Sequence, residues 1–184
     1  NSIGFDDEFL RFSFHRNLLP AYTHQYANGC RRMDLLPVTI IYWLFRQNAL
    51  DWPVLNGKAS LKLEDIGALN ALFTGPSHEA MSDVEAALRL ARILSRNRKM
   101  WQYLDGCFRR EVDAQRAEEL PAALQGGMGP HALGLLAASE FGTRQAFLAP
   151  VLSIGNSIPY PKQTLWLRLD LPDLRETRPD SVAD

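Results

Sequence analysis

The 184 residues are 46% hydrophobic and 22% charged, with a net charge of −1. This is enough chain for one sizeable domain and part of another. The balanced charge gives no global attraction to nucleic acid, so any such binding needs a locally basic surface. Two cysteines, Cys30 and Cys107, lack metal-ligand spacing and exclude a disulfide framework as the organising device, so a reducing, cytoplasmic setting is the expectation. No apolar run of about 18 residues occurs, so no membrane partner is expected. The opening residues also lack the basic and apolar regions of a secretion signal.

In chain order, Asn1-Ser2-Ile3-Gly4-Phe5 reads as the end of a strand and its turn. An opening in mid-element suggests that upstream residues are absent. Asp6, Asp7 and Glu8 lead into Phe9–Phe14, a helix with an acidic first turn, ended by Pro20. Its three aromatics predict substantial burial. Asp6 or Asp7 could cap this helix or serve as a site carboxylate, and the residues alone leave both open. His15, Arg16 and Asn17, with Tyr22, His24 and Tyr26, form a polar-aromatic patch. An Arg fork can grip phosphate and a Tyr ring can stack on a base, while a solvated loop anchored by tyrosines fits the same composition. Asn28-Gly29 marks a turn, with Arg31 and Arg32 beyond it.

Asp34 is placed to cap a helix in which Leu35, Val38, Ile41, Tyr42 and Phe45 recur at helical spacing, with Pro37 in the first turn. Trp52-Pro53 and Asn56-Gly57 make a loop. Leu63, Ile66, Ala68 and Leu69 make a short helix ending near Asn70. Lys58 and Lys62 could meet a phosphate, although lysine is most often a plain surface residue.

The stretch Pro76–Ala87 reads as a loop feeding a helix that runs to about Arg96. Val84, Ala87, Leu88, Ala91 and Leu94 form its apolar stripe. Asp83 lies near the helix start, where a carboxylate suits the dipole. Inside one helix, His78 and Asp83 would sit about 140° apart around the axis. A loop before the helix could instead fold His78 back, so that a titratable nitrogen and a metal-binding oxygen face one cavity. An exposed loop histidine beside a helix-start aspartate is the plainer alternative. Trp101, Leu104, Phe108 and Val112 mark one further helix. Arg109, Arg110 and Arg116, mixed with acids, give it a solvated face. Pro121 and the run Gln125–Pro130 read as a linker. Beyond it, 145–149, 151–154 and 164–170 read as strands. So few strands make a poor core alone and would lean on the helices.

Taken in order, these stretches resemble the exodeoxyribonuclease I branch of the DnaQ-like (DEDDh) exonuclease family. Asn1-Ser2-Ile3-Gly4-Phe5-Asp6-Asp7-Glu8 is similar to its second motif. Phe14-His15-Arg16-Asn17, Pro20-Ala21-Tyr22, Arg32-Met33-Asp34-Leu35-Leu36, Asn48-Ala49-Leu50-Asp51-Trp52-Pro53 and Leu61-Lys62-Leu63-Glu64-Asp65-Ile66 follow in register, up to His78-x4-Asp83. The likeness runs to about Leu120, and a weaker one continues from Gly126 to Asp170.

The resemblance implies an α/β fold: a truncated ribonuclease H-like exonuclease domain over 1–125, mostly its helical part, then the beginning of an SH3-like β domain over 126–184. It implies a 3′→5′ exonuclease on single-stranded DNA with two Mg²⁺ ions. Asp6 and Asp83 match metal-binding carboxylates, and His78 matches the general base. Asp7, Glu8 and Glu79 are lesser candidates. Arg16, Tyr22, Arg31 and Lys62 are the expected DNA contacts. Single-stranded DNA-binding protein is a further implied partner, and a homodimer could cover missing strands. The family's Asp-x-Glu first motif has no counterpart in the sequence, so the expectation is a catalytically incomplete chain with a weak or absent metal pair. The alternative is a non-catalytic fragment that binds single-stranded DNA or another protein.

Overall fold

The computed structural model describes residues 6–75, 79–120, 122–126, 129–161 and 163–172. Its helical part is built around helix α3, Leu35–Phe45. Asp34 caps it as the sequence predicts, extended in backbone, with its carboxylate accepting from the Leu36 amide at 2.9 Å. The helix that follows the short strands, α4 (Leu63–Leu69), ends at Asn70, whose side chain ties back to the Asp51 backbone at 2.8 and 3.0 Å. Helix α5, Ala80–Leu94, buries Ser82, Ala86, Leu90 and Leu94, a spacing of four that lines one face.

Val38, Ile40 and Tyr42 of α3, Ile66 of α4 and this face of α5 form a single apolar cluster, joined by Leu50, Leu61, Leu72, Leu104 and Phe147. Tyr42 is wholly buried and donates its hydroxyl to the Leu94 carbonyl at 2.7 Å, joining α3 to the end of α5. Burial pushes that phenol above its ordinary pKa. Gly67 is packed so closely on the Phe73 ring that an added Cβ would lie 2.3 Å from it.

Two elements differ from their sequence expectation. Helix α1, Asp6–Arg16, is shallowly set rather than buried: Asp7 is its one buried residue, while Phe9 and Phe12 face outward. Aromatic content marks a surface that can be covered, but it does not say which side is covered. Helix α2, Thr23–Tyr26, follows after a short turn. The helix expected across Trp101–Val112 divides into α6, Arg98–Gly106, and α7, Arg110–Glu118. Asn97 caps α6, accepting from the Met100 amide at 3.3 Å. At its other end Arg116 of α7 donates to the Tyr103 carbonyl at 2.7 Å and covers Gly106, which turns the second helix back on the first.

Strands β1 (Val54–Leu55) and β2 (Lys58–Ala59) form a small hairpin. Asn56 and Gly57 make its turn with φ of 52° and 74°, the left-handed pair that a tight two-residue hairpin requires. After α7 comes a four-stranded antiparallel meander: β3 (Ala122–Gly126), β4 (Gly129–Ala137), β5 (Leu148–Asn156) and β6 (Thr164–Arg168). The described residues of the Gly- and Pro-rich run read as a linker instead lie in two paired strands, Gln125 opposite Pro130 and Gly126 opposite Gly129. The strand expected from Gln145 starts at Leu148, because Ala146 and Phe147 have φ of 51° and 59° and cannot continue a ladder. Among the described residues no helix is long and apolar enough to cross a membrane.

Candidate functional site

The carboxylates singled out from the sequence sit at helix starts. Asp6 is the first residue of α1 and is exposed. Asp83 lies in the first turn of α5, half-buried, with its amide bonded to the Glu79 carbonyl at 2.9 Å. Both stand where the helix dipole favours negative charge. His78 lies outside the described residues.

Asp7 has a different role from its neighbour. Its carboxylate is 9% exposed and is held by the Arg32 guanidinium on one oxygen, while His24 Nε2 approaches the other to 3.4 Å. The Phe14 ring meets His24 edge-on, with centroids 5.4 Å apart. Asp7 therefore anchors α1 to the segment that leads into α3. A carboxylate engaged in this way is not open to a ligand. Glu8 is turned to Arg11 at 3.4 Å. This anchoring cluster had no local signal in the sequence, because Arg32 lies 25 residues from Asp7.

The expected DNA contacts fall into separate settings. Arg16 ends α1 and is exposed. Tyr22 is 53% exposed, with the Arg11 guanidinium over its ring. Arg31 is paired at 3.3 Å with Asp105, which also holds Arg109, so part of its charge is neutralised. Lys62 precedes α4 and lines, with Lys58, a groove of about 890 Å³. Leu36, Leu61, Leu90 and Phe147 form apolar parts of its wall. The groove brings residues of α3, the β1–β2 hairpin, α4, α5 and the turn before β5 to one place, which spacing along the chain could not reveal.

Two magnesium ions would need several oxygen ligands each. Among the described residues no three His, Cys, Asp or Glu side chains gather in an arrangement suited to a metal ion. The described donor set does not fit the pair.

The similarity to known proteins follows this layout. Over 99 residues the chain is 34% identical to exodeoxyribonuclease I of Buchnera aphidicola, covering 53% of this chain and 21% of that protein. Over 105 residues it is 31% identical to exodeoxyribonuclease I of Haemophilus influenzae, covering 56% and 22% respectively. In sequence, the chain is thus similar to exodeoxyribonuclease I over about half of its length. The fold agrees across the whole chain. It superposes on exonuclease I of Methylocaldum szegediense with a TM-score of 0.74 at 25% identity, covering 100% of this chain and 40% of that one. For Escherichia coli exonuclease I in complex with a dA16 oligonucleotide the TM-score is 0.74 at 22% identity, covering 100% and 41%. No family profile matches the chain. The matched stretch spans about a fifth of the curated relatives' length. The fold expected from the sequence agrees with that of the exonuclease I structures: a helical part followed by an antiparallel sheet.

Proposed function

We propose that these residues are part of a 3′→5′ exonuclease acting on single-stranded DNA, and that the 184-residue polypeptide alone binds such DNA without hydrolysing it. The observation that carries the reading is the agreement with exodeoxyribonuclease I, in sequence over about half of the chain and in fold over all of it. In the complete site, Asp6 and Asp83 would supply metal-binding oxygens and His78 the base that takes a proton from the attacking water. Asp7 keeps the first turn of α1 in place through Arg32 and His24. Arg16, Tyr22, Arg31 and Lys62 are assigned to the DNA strand, with Lys62 opening onto the groove.

One of the similar structures is named as a complex of exonuclease I with SSB, and we extend that partner, single-stranded DNA-binding protein, to this chain as part of the same reading. The cytoplasmic setting belongs with it, as does a second copy covering open helix faces. The test is release of nucleotides from 3′-labelled single-stranded DNA by the purified polypeptide with Mg²⁺ or Mn²⁺. Background rates are expected. A metal-dependent rate that His78→Ala abolishes would show that the site is complete and overturn the incomplete-site half of the proposal.

A further inference from the structure

Helix α1 carries an exposed arrangement that neither the anchoring of Asp7 nor the acidic helix start uses. The Arg11 guanidinium lies 5.2 Å from the centroid of the Phe12 ring and 5.8 Å from that of Tyr22. Its other side is steadied by Glu8 at 3.4 Å. Phe12 is 59% exposed and Tyr22 53% exposed. One cation therefore bridges two open aromatic faces, where apolar rings would otherwise be expected to turn inward. A guanidinium over a ring restrains both side chains, so the rings present π-faces at little further entropic cost. Arg16 lies one helical turn beyond Phe12, and His15 lies next to it. The surface thus has stacking planes and, beside them, the Arg16 guanidinium as a cationic donor for phosphate.

We infer that Phe12, Tyr22 and the bridging Arg11 form a stacking platform for unpaired bases of single-stranded DNA. This rests on the proposed DNA reading and adds to it the contact with the base, as distinct from the phosphate. Unpaired bases stack on aromatic and guanidinium planes whatever their identity, and a basic neighbour such as Arg16 tracks the backbone. Stacking of this kind tolerates sequence, so the platform confers a preference for single strands rather than for particular bases. A protein surface would also cover exposed rings, but the Arg16 guanidinium one turn away favours a polyanion.

The experiment compares binding of fluorescent oligo(dT) with binding of an abasic oligomer of equal length and charge, by anisotropy at low salt with EDTA. The wild-type polypeptide should hold oligo(dT) roughly tenfold more tightly than the abasic strand. Phe12→Ala and Tyr22→Ala should erase most of that difference, and Phe12→Trp should restore it. Both positions are exposed, and an unchanged circular-dichroism melt shows that the variants fold. Equal affinity for the two strands, unaltered by Phe12→Ala, would remove the platform and leave the phosphate-binding reading standing. Absence of any wild-type binding would remove both. Self-association that Phe12→Ala abolishes, without an effect on DNA, would assign the rings to a protein contact and overturn the inference.

Discussion

The helical part and the four-stranded sheet are held in different ways. From α3 to α6, buried Val38, Ile40, Tyr42, Ile66, Leu90, Leu94 and Leu104 interlock from elements far apart in sequence. Among the described residues, the sheet's well-buried apolar residues are Ala149 and Val151, while Phe147, just before β5, belongs to the helical cluster. Its ring meets Trp43 of α3 edge-on, with centroids 5.8 Å apart at 82°. Adjacent strands are joined mainly by backbone ladders. His131 Nδ1 donates to the Ser153 carbonyl, and Ser153 Oγ accepts from the Ala132 amide, both at 2.8 Å. A core made of non-local contacts supports itself, whereas a ladder with one thin buried face draws on its neighbour. The difference teaches where the candidate site gets its rigidity. Asp83 rides on α5, inside the self-supporting part, while Asp6 rides on α1, tied down through Asp7 alone among its buried residues.

The comparison can be broken most severely at the junction. Phe147→Ala should cost about 3 kcal/mol or more, since the ring is 8% exposed and fills the helical cluster. In hydrogen exchange the sheet amides should lose protection first, with α3 and α5 following less. Equal loss in both parts would show that they share one core.

A smaller effect sharpens the helical side. Tyr42→Phe removes the hydroxyl bond to Leu94 while keeping the ring, and should cost ~1 kcal/mol. Chemical denaturation measures it, and the loss should be confined to the helical part.

The smallest effect concerns the sheet. Arg168 donates to Asp170 at 2.6 Å and Gln145 to the same oxygen at 2.7 Å. The Arg168 hydrogen bond holds the Asp170 carboxyl below its ordinary pKa. Because the folded value is the depressed one, the stabilisation is complete above the ordinary carboxylate pKa and fades as pH falls through the lower folded value. Amides of β6 should shift in acid in the wild type and lose that dependence in Asp170→Asn. The change is modest because solvent screens the pair.

The features that were legible in the sequence are those set by neighbouring residues. Asp34 caps because its own carboxylate reaches an amide two residues on, and Asn56-Gly57 turns because its own backbone tolerates positive φ. Gln125–Pro130 misled because hairpins and linkers draw on the same residue types, and only the pairing of Gln125 with Pro130 and Gly126 with Gly129 separates them. Asp6 and Asp83 were singled out by the resemblance, and the structure places each in the first turn of a helix. The engagement of Asp7 by Arg32, and the bridging of Phe12 and Tyr22 by Arg11, depend on tertiary placement, which no spacing encodes.

The most direct test of the central claim is the affinity of the 184-residue polypeptide for single-stranded DNA in EDTA across a salt series. The account predicts measurable binding at low salt, with log affinity falling linearly as log salt rises because phosphate contacts release counterions. Lys62→Ala and Arg16→Ala should each make that slope shallower. A polypeptide that folds but shows no binding at low salt would contradict the account.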